Sequence, residues 1–310
     1  MQSLYQTTLR RAVRLSGIGL HSGRSAELVV RPASVHHGIW FRRMDLVARD
    51  TMIPASWDAV TDTTLNTRIA NEAGVTVSTI EHLMAALHGC GISNALIEVD
   101  GPEIPIMDGS AAPFVRAFLN TGLAEQDARR TVLRVLKRVE LDEGGAYAAL
   151  EPARHFEVDF EIDFPNTAIG WQSKRLAVVN GAFVDELMDS RTFVRAADVD
   201  ALRAQGLALG GSLDNAVVVE GRTVQNPEGF RHADEAVRHK MLDAVGDLAL
   251  AGAPLLARYT GVRAGHGVTN RLLHKLFATP GAVRLDVCRD RDVAGLPGVT
   301  RQEEALRRIA

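Results

Sequence analysis

An internal repeat limits what this chain can fold into more than any other feature of its sequence. A helical segment that carries a histidine, then a glycine break and an apolar strand, occurs twice, at residues 81–101 and 238–261. Each strand is followed by a glycine that opens another helical run. The histidine and that glycine are 27 residues apart in the first copy (His82, Gly109). They are 26 residues apart in the second copy (His239, Gly265).

The repeat predicts an α+β protein of two similar domains, because each copy contains strands and helices in the same order. We expect the first domain to span residues 1–126 and the second to span 127–310, with the join in the polar stretch AEQDARR. A chain of 310 residues, of which 46% are hydrophobic, can bury the core of each domain. After residue 277 the pattern predicts a strand, a Gly/Pro turn and a charged helical tail.

Composition excludes several classes of protein. The formal net charge is −3 and charges of both signs are interspersed, so no broad basic surface is available for nucleic acid. The two cysteines provide neither a disulfide framework nor a Cys-x-x-Cys zinc site, and a reducing cytoplasm is the expected compartment. The N-terminus lacks the apolar core of a signal peptide, and no run of about 18 apolar residues is present. We therefore expect at most peripheral contact with a membrane.

The first copy of the repeat places an acid next to a histidine at the start of an amphipathic helix. The apolar positions have helical spacing and the pattern stops at Gly89; they are Ile80, Leu83, Met84 and Leu87. Two interpretations of Glu81 are open, since Ser78 and Glu81 have the spacing of a capping box while Glu81 also adjoins His82. By itself, His82 is more typical of a hydrogen-bonded core residue than of a metal ligand.

The second copy carries His239, Asp243 and Asp247 at every fourth position, which places them on one side of a helix. Alone, such a stripe is typical of the solvated face of an amphipathic helix. Combined with His82 it supplies two histidines and a carboxylate, which suffice for a catalytic zinc whose fourth position holds water. Glu81, next to a ligand histidine, is then placed to take a proton from that water.

A third histidine lies in a glycine-flanked turn at the start of a helical run, in the sequence GHGVTN. His266 is either an ordinary turn residue or, beside a carboxylate such as Asp247, an imidazolium that acts as a general acid. His21, in GIGLHSG, has a similar glycine setting and is interpreted as part of a turn. The local sequence alone assigns no catalytic role to either histidine.

Together the motifs resemble the zinc-dependent UDP-3-O-acyl-N-acetylglucosamine deacetylases of lipid A biosynthesis. The resemblance runs from about Thr7 to Phe277 and rests on SGIGLHSG, TIEHLMAAL, GPEIPIMDGSAAPF, SRTF, NPEGFRHADEAVRHKMLDAVGDL and GHGVTN. It implies a hydrolase that removes the N-acetyl group from UDP-3-O-acyl-N-acetylglucosamine and releases acetate. It also implies a layer of helices between two sheets, with the active site at the domain junction.

The resemblance implies a role for each matching residue. The implied zinc ligands are His82, His239 and Asp243, and iron(II) is accepted by the same ligands. The implied catalytic residues are the general base Glu81, the general acid His266, its orienting neighbour Asp247, and Thr192 as an oxyanion contact. The implied substrate contacts are Lys240 near the phosphates, Phe193 and Gly211 at the sugar nucleotide, and Val199, Leu202, Leu207 and Leu209 in an acyl-chain passage formed by an insert at about 192–213.

Two alternatives stand beside this interpretation. Another zinc amidohydrolase of N-acetylated sugars would share the metal ligands, and a non-catalytic nucleotide-sugar binding module would use the fold without a metal. Val194, Ala196 and Thr269 stand where the family usually has other residues, and the first two leave the preferred acyl length open. We expect a monomer that takes a small acylated UDP-sugar as its substrate and binds no nucleic acid.

Overall fold

The computed structural model describes residues 3–47 and 50–299 of the chain. The N-terminal half contains β1 (Tyr5–Leu9), β2 (Val13–Ile18), β3 (Ser25–Pro32), β4 (Ile39–Arg43), β5 (Met52–Pro54), a short 3-10 helix (Trp57–Ala59), β6 (Val60–Asp62), β7 (Arg68–Ala70), β8 (Thr76–Val77), α1 (Glu81–Cys90), β9 (Ala95–Val99), α2 (Ala112–Thr121) and β10 (Leu123–Arg129). The C-terminal half contains β11 (Thr131–Val135), β12 (Val139–Glu143), β13 (Ala146–Pro152), β14 (Glu157–Phe164), β15 (Gly170–Ala177), α3 (Ala182–Glu186), β16 (Phe193–Arg195), α4 (Ala196–Ala204), β17 (Val217–Glu220), β18 (Thr223–Val224), α5 (Glu235–Ala249), β19 (Leu255–Val262), α6 (His266–Ala278), β20 (Val283–Val287) and α7 (Asp290–Val293). Both halves mix strands and helices, which confirms the predicted α+β class.

Each half is built around a sheet with the same strand pairing. The first sheet has the order β2-β3-β9-β4-β5, and the corresponding strands of the second sheet are β12-β13-β19-β14-β15. In both sheets the first three strands pair antiparallel, the fourth lies parallel to the third, and the fifth lies antiparallel to the fourth. Along the chain, one helix precedes the third strand of each sheet and another follows it. In the first half α1 precedes β9 and α2 follows it, and in the second half α5 precedes β19 and α6 follows it.

The two helices that carry most of the candidate site residues pack directly on each other. α1 contacts α5 and α2, while α5 also contacts α6 and the strands β14 and β15. Leu83 and Leu87 of α1 are buried, as are Leu242 and Val245 of α5. Each fully buried aliphatic side chain of this kind stabilises the fold by about 1.5–3 kcal/mol. Nine of the ten residues of α1 are buried, so the helix is covered on nearly all sides and not only along its predicted apolar face.

Gly246 allows the close approach of α5 to α1. A Cβ atom at this position would overlap the backbone carbonyl of Glu81, which cannot move without displacing the start of α1. Gly246→Ala is therefore expected to lower the free energy of unfolding by about 1–3 kcal/mol, as measured by urea denaturation. Gly101→Ala is the matched control, since its Cβ atom would meet only the Ala26 methyl group at 4.0 Å. Equal destabilisation by both substitutions would contradict this explanation.

The predicted join between the halves lies within a strand. β10 runs across residues 126 and 127 and pairs with β1, so the link between the halves is part of a two-stranded sheet. After residue 277 the chain forms β20 and the short helix α7, and most of the charged helical tail falls on residues 300–310, outside the described residues. Within the described ranges, no helix has the length and apolar character needed to cross a bilayer.

Candidate metal centre and active site

Three side chains at the contact between α1 and α5 form a candidate metal centre. The ligand atoms of His82, His239 and Asp243 all lie within 4.8 Å of one another, and we call these residues the metal cluster. The Asp243 Oδ1 atom is 3.5 Å from His82 Nε2 and 3.3 Å from His239 Nε2. All three side chains are buried. Two imidazoles and one carboxylate at these separations fit the ligand preferences of a divalent transition metal.

The helices orient the ligands of the metal cluster. His239 and Asp243 lie one turn apart on α5, so both side chains point to the same side of the helix. His239 Nδ1 donates a hydrogen bond to the Ser190 carbonyl at 3.0 Å, which leaves the Nε2 lone pair available. His82 Nδ1 is buried and has no hydrogen-bond partner among the described residues. The His82 ring is therefore not committed to a structural hydrogen bond through this nitrogen.

Burial and neighbouring charges hold His239 and Asp243 of the metal cluster in the protonation states that bind a metal. Burial lowers the pKa of His239 to about 4, although the Asp243 carboxylate acts against this shift. Burial disfavours the ionised form of Asp243, but the neighbouring His239 and Lys240 hold the pKa of Asp243 well below its usual range. At neutral pH His239 is therefore neutral and Asp243 is ionised, as metal coordination requires.

Glu81 is the first residue of α1 and is 4% exposed. Its Oε2 atom accepts a hydrogen bond from the Thr67 backbone N–H at 3.1 Å. The capping-box interpretation is wrong, because α1 has no side-chain cap and the Ser78 hydroxyl donates to the Pro102 carbonyl instead. Burial raises the pKa of Glu81, while the nearby His266 acts against this shift. A carboxylate with a raised pKa is suited to accept a proton near neutral pH.

His266 begins α6 and is hydrogen bonded to Asp247 of α5. The His266 Nδ1 atom is 2.8 Å from Asp247 Oδ2, and Asp247 Oδ1 accepts a hydrogen bond from the Thr67 hydroxyl at 2.6 Å. Burial disfavours the charged imidazole, but the Asp247 carboxylate outweighs burial and raises the pKa of His266 to about 9. His266 is therefore a cation at neutral pH and has a proton to donate.

Two adjoining cavities meet at these residues. The larger has a volume of about 950 Å³, and its wall includes Glu81, His82, Thr192, Phe193, Leu202, His239, Lys240, Asp243 and His266. The smaller has a volume of about 430 Å³, and its wall includes Thr192, Phe193, Val199, Leu202 and Gly211. Asp247 contacts His266 but is not among the described residues that line either cavity. The structure thus brings together all the sequence-predicted site residues except Leu207 and Leu209 of the insert.

Leu207 and Leu209 are placed differently from the expectation. Neither is among the described residues that line the two cavities, and Leu209 is 52% exposed. After α4 the Leu209 backbone N–H donates to the His21 carbonyl at 3.2 Å, and the neighbouring Ala208 lines the smaller cavity instead. Lys240 lines the larger cavity, and its ammonium group donates to Asp243 Oδ2 at 2.6 Å; its contact with the substrate phosphates stays a prediction.

The SRTF segment is held next to the cavities by a buried arginine. Arg191 is 1% exposed, and its Nε atom donates to Glu235 Oε1 at 2.9 Å, at the start of α5. The Thr192 backbone N–H donates to the Gly109 carbonyl at 2.8 Å. These bonds connect the segment to both halves of the chain, so the Thr192 side chain has a defined position on the cavity wall.

Thr67 is a site residue that the sequence analysis missed. It is buried, its backbone N–H contacts Glu81 and its hydroxyl contacts Asp247. The two partners are 14 and 180 residues away along the chain. The surrounding LNTRIA stretch has no spacing or composition that indicates such a link, so only the folded chain reveals it.

Comparison with known proteins identifies the family. The family model described as UDP-3-O-acyl N-acetylglycosamine deacetylase matches residues 6–278. The chain belongs to this family. The part of the chain that matches the deacetylase family contains the metal cluster, Glu81, Asp247 and His266.

Relatives of the deacetylase family are similar over almost the whole chain. The UDP-3-O-acyl-N-acetylglucosamine deacetylase of Phenylobacterium zucineum (strain HLK1) is 51% identical over 282 residues, which cover 91% of this chain and 96% of the relative. The deacetylase of the same name from Anaeromyxobacter sp. (strain Fw109-5) is 47% identical and covers 94% of this chain and 97% of its own length. The deacetylase of the same name from Shewanella frigidimarina (strain NCIMB 400) is 45% identical, and the match covers 91% of this chain and 92% of the relative.

Proposed function

We propose that the chain is a metal-dependent hydrolase that removes the N-acetyl group from UDP-3-O-acyl-N-acetylglucosamine in lipid A biosynthesis. One observation carries this proposal: the metal cluster, Glu81 and His266 lie on the wall of a single cavity. Membership of the deacetylase family and the names of the relatives support the choice of substrate. The products are UDP-3-O-acyl-glucosamine and acetate.

The metal cluster is proposed to hold zinc, with iron(II) as the alternative that the same ligands accept. A bound divalent metal supplies a Lewis acid, which lowers the pKa of water from about 15.7 to about 7 and polarises a carbonyl group. The short separations within the cluster, the neutral His239 and the ionised Asp243 support this assignment.

The other side chains handle protons and charge around the acetamide group. Glu81 accepts a proton from the attacking water, and its raised pKa allows it to hold that proton. The Thr192 hydroxyl donates a hydrogen bond to the oxyanion that forms at the carbonyl carbon. His266, held as a cation by Asp247, gives its proton to the departing nitrogen, which leaves as an amine.

The two cavities are proposed to bind different parts of the substrate. Lys240 contributes a positive charge for the phosphates, and Phe193 contributes an aromatic face for the sugar nucleotide. Gly211 lies on the wall of the smaller cavity, where a Cβ atom would be 3.2 Å from the Ala208 carbonyl oxygen, closer than an ordinary contact. Val199 and Leu202 provide an apolar wall for the acyl chain.

A comparison of two substrates tests the proposed function. Purified protein is supplied with zinc and assayed for acetate release from UDP-3-O-acyl-N-acetylglucosamine and from UDP-N-acetylglucosamine without the acyl chain. We expect kcat/KM to be at least about 100-fold higher for the acylated substrate, because each buried methylene group contributes about 0.8 kcal/mol. Equal turnover of both would instead indicate a general amidohydrolase of N-acetyl sugars. Turnover of neither would contradict the catalytic proposal.

The pH dependence of the reaction tests the pairing of His266 with Asp247. In the wild-type protein we expect a bell-shaped profile, with an acid limb from Glu81 and an alkaline limb near the raised His266 pKa of about 9. Asp247→Asn should move the alkaline limb to lower pH, because its carboxylate favours the charged ring and the ordinary histidine pKa is about 6.5. Rates of acetate release between about pH 5 and about pH 10 measure the shift. A flat wild-type profile, or an unmoved alkaline limb in the variant, would argue against these roles.

We also infer that residues 1–126 and 127–310 are two domains that arose by duplication, with the active site at their junction. The matching strand pairing of the two sheets supports this inference, as does the origin of the metal cluster from both α1 and α5.

Since all the proposed catalytic side chains come from one chain, a monomer is sufficient for activity. Cys90 and Cys288 are both free and buried, which agrees with a reducing cytoplasm.

A further inference from the structure

A second region with the character of a binding site lies at the other end of α1. A cavity of about 430 Å³ is lined there by Met84, Leu87 and His88 of α1, by Ala249 at the end of α5, and by Ala253 beyond that helix. Glu81 and His82 of the candidate active site lie on the first turn of α1. With a rise of 1.5 Å per residue, His88 is about 9 Å along the helix from His82. The cavity is therefore separate from the candidate active site.

Arg130, between β10 and β11, lines this cavity and has no counter-ion among residues 3–47 and 50–299. Its side chain is 5% exposed, Nη1 donates weakly to the Pro297 carbonyl at 3.4 Å, and the buried Nε atom has no partner within the described residues. No carboxylate in the described part of the chain forms an ion pair with it. The other buried arginines differ: Arg191 is paired with Glu235, and Arg43 is paired with Asp45.

A buried and unpaired guanidinium is strongly unfavourable unless an anion compensates its charge. Burial is the cause that lowers the pKa of Arg130 to about 10, so the side chain is still charged at neutral pH. Two polar side chains that line the same cavity carry no charge to neutralise it. Gln6 and Asn94 are hydrogen bonded to each other, with Asn94 Nδ2 donating to Gln6 Oε1 at 2.9 Å. The charge of Arg130 is therefore available to a ligand.

His88 is a second polar group on the cavity wall. The part of the chain that the structure describes offers its ring no hydrogen bond, and the ring packs edge-on against Phe156 with 5.6 Å between the ring centroids. Burial and the nearby Arg130 cation lower the pKa of His88 to about 3. The ring is thus neutral and can donate one hydrogen bond, and the site carries a single positive charge.

We propose that this cavity binds an organic monocarboxylate, with the carboxylate on Arg130 and His88 and the apolar body against Ile39, Trp40 and Leu87. The planar guanidinium matches the geometry of a carboxylate. A phosphate dianion fits less well, because one positive charge would leave a second negative charge uncompensated in a partly apolar site. The volume is in the range of small-molecule sites. This inference does not depend on the deacetylase activity.

Calorimetric titration of the full chain near neutral pH with three probes tests the chemical class. Octanoate has the carboxylate and an apolar body, 1-octanol has only the body, and inorganic phosphate has only the charge. We expect saturable binding of octanoate with a Kd below about 1 mM and binding of the other two at least about tenfold weaker. Equal binding of octanoate and octanol would overturn the role of charge. Stronger binding of phosphate, or no saturable binding of octanoate, would overturn the proposal.

Three variants locate the binding site. Arg130→Met should weaken octanoate binding by about 10- to 100-fold, because a hydrogen bond to a charged group is lost. Arg129→Met is the matched control, since it removes the same charge from the adjacent, exposed residue and should leave octanoate affinity unchanged. Ala253→Phe keeps Arg130 but fills the cavity, so it should also abolish octanoate binding. This variant locates the binding site even if Arg130→Met does not fold. Unchanged octanoate affinity in Ala253→Phe would overturn the proposal.

Discussion

Glu81→Gln is expected to lower the kcat for acetate release by about 10²- to 10⁴-fold, the range that general acid–base catalysis supplies. The amide oxygen of glutamine can still accept the Thr67 backbone hydrogen bond, so α1 and its packing should be preserved. What the variant loses is the ability to take a proton from water. We therefore expect KM and the metal content of the purified protein to change little while kcat falls.

Glu157→Gln is the matched control for this substitution. Glu157 is also a buried glutamate, but it lies in β14 and pairs with Arg175, away from the cavities. Its replacement should affect stability more than catalysis, and kcat should stay close to that of the wild-type protein. If Glu81→Gln had the same kcat as Glu157→Gln, Glu81 would not be the general base.

Loss of a ligand from the metal cluster should lower the rate of acetate release about as strongly as Glu81→Gln does. Replacing residues that merely orient metal ligands typically costs 10- to 100-fold in metal affinity or activity. His239→Ala removes a ligand itself, so we expect activity to fall by at least about 100-fold. Elemental analysis should show that the variant no longer purifies with a stoichiometric metal, and added zinc should restore little activity.

His274→Ala is the control for the metal experiment, since His274 lies on α6 outside the metal cluster, where its ring packs against Trp57. This variant should keep its metal. In the wild-type protein, complete chelation should abolish activity, and separate reconstitution with zinc or iron(II) should identify which metal supports turnover. Full activity after complete chelation would exclude the metal-dependent mechanism.

Sequence patterns predicted the parts of the site whose members are close together along the chain. Apolar positions of helical spacing predicted a helix after Ile80, and α1 is found at Glu81–Cys90. The spacing of His239 and Asp243 predicted a shared helix face, and both lie on α5. Such predictions work because the period of a helix determines which side chains share a face, whatever the helix packs against.

Local patterns were insufficient where a tertiary contact competes with a local one. The spacing of Ser78 and Glu81 is that of a capping box, yet the Glu81 carboxylate contacts the Thr67 backbone and the Ser78 hydroxyl contacts the Pro102 carbonyl. Similarly, Leu209 is as apolar as Leu202, but of the two only Leu202 lines the cavities, since the Leu209 backbone is hydrogen bonded to His21. Neither outcome depends on residue type alone.

The sequence by itself determined the α+β class, the family and the helix faces that carry the ligand types, because these follow from local periodicity and from motifs. Only the tertiary structure decided that His82 on α1 and His239 on α5 meet, with 4.9 Å between their ring centroids. It also decided that Arg130 is buried and that no carboxylate of the described residues pairs with it. The physical reason is that proximity and desolvation arise when distant segments pack together, and these two effects set the protonation states on which the proposed chemistry depends.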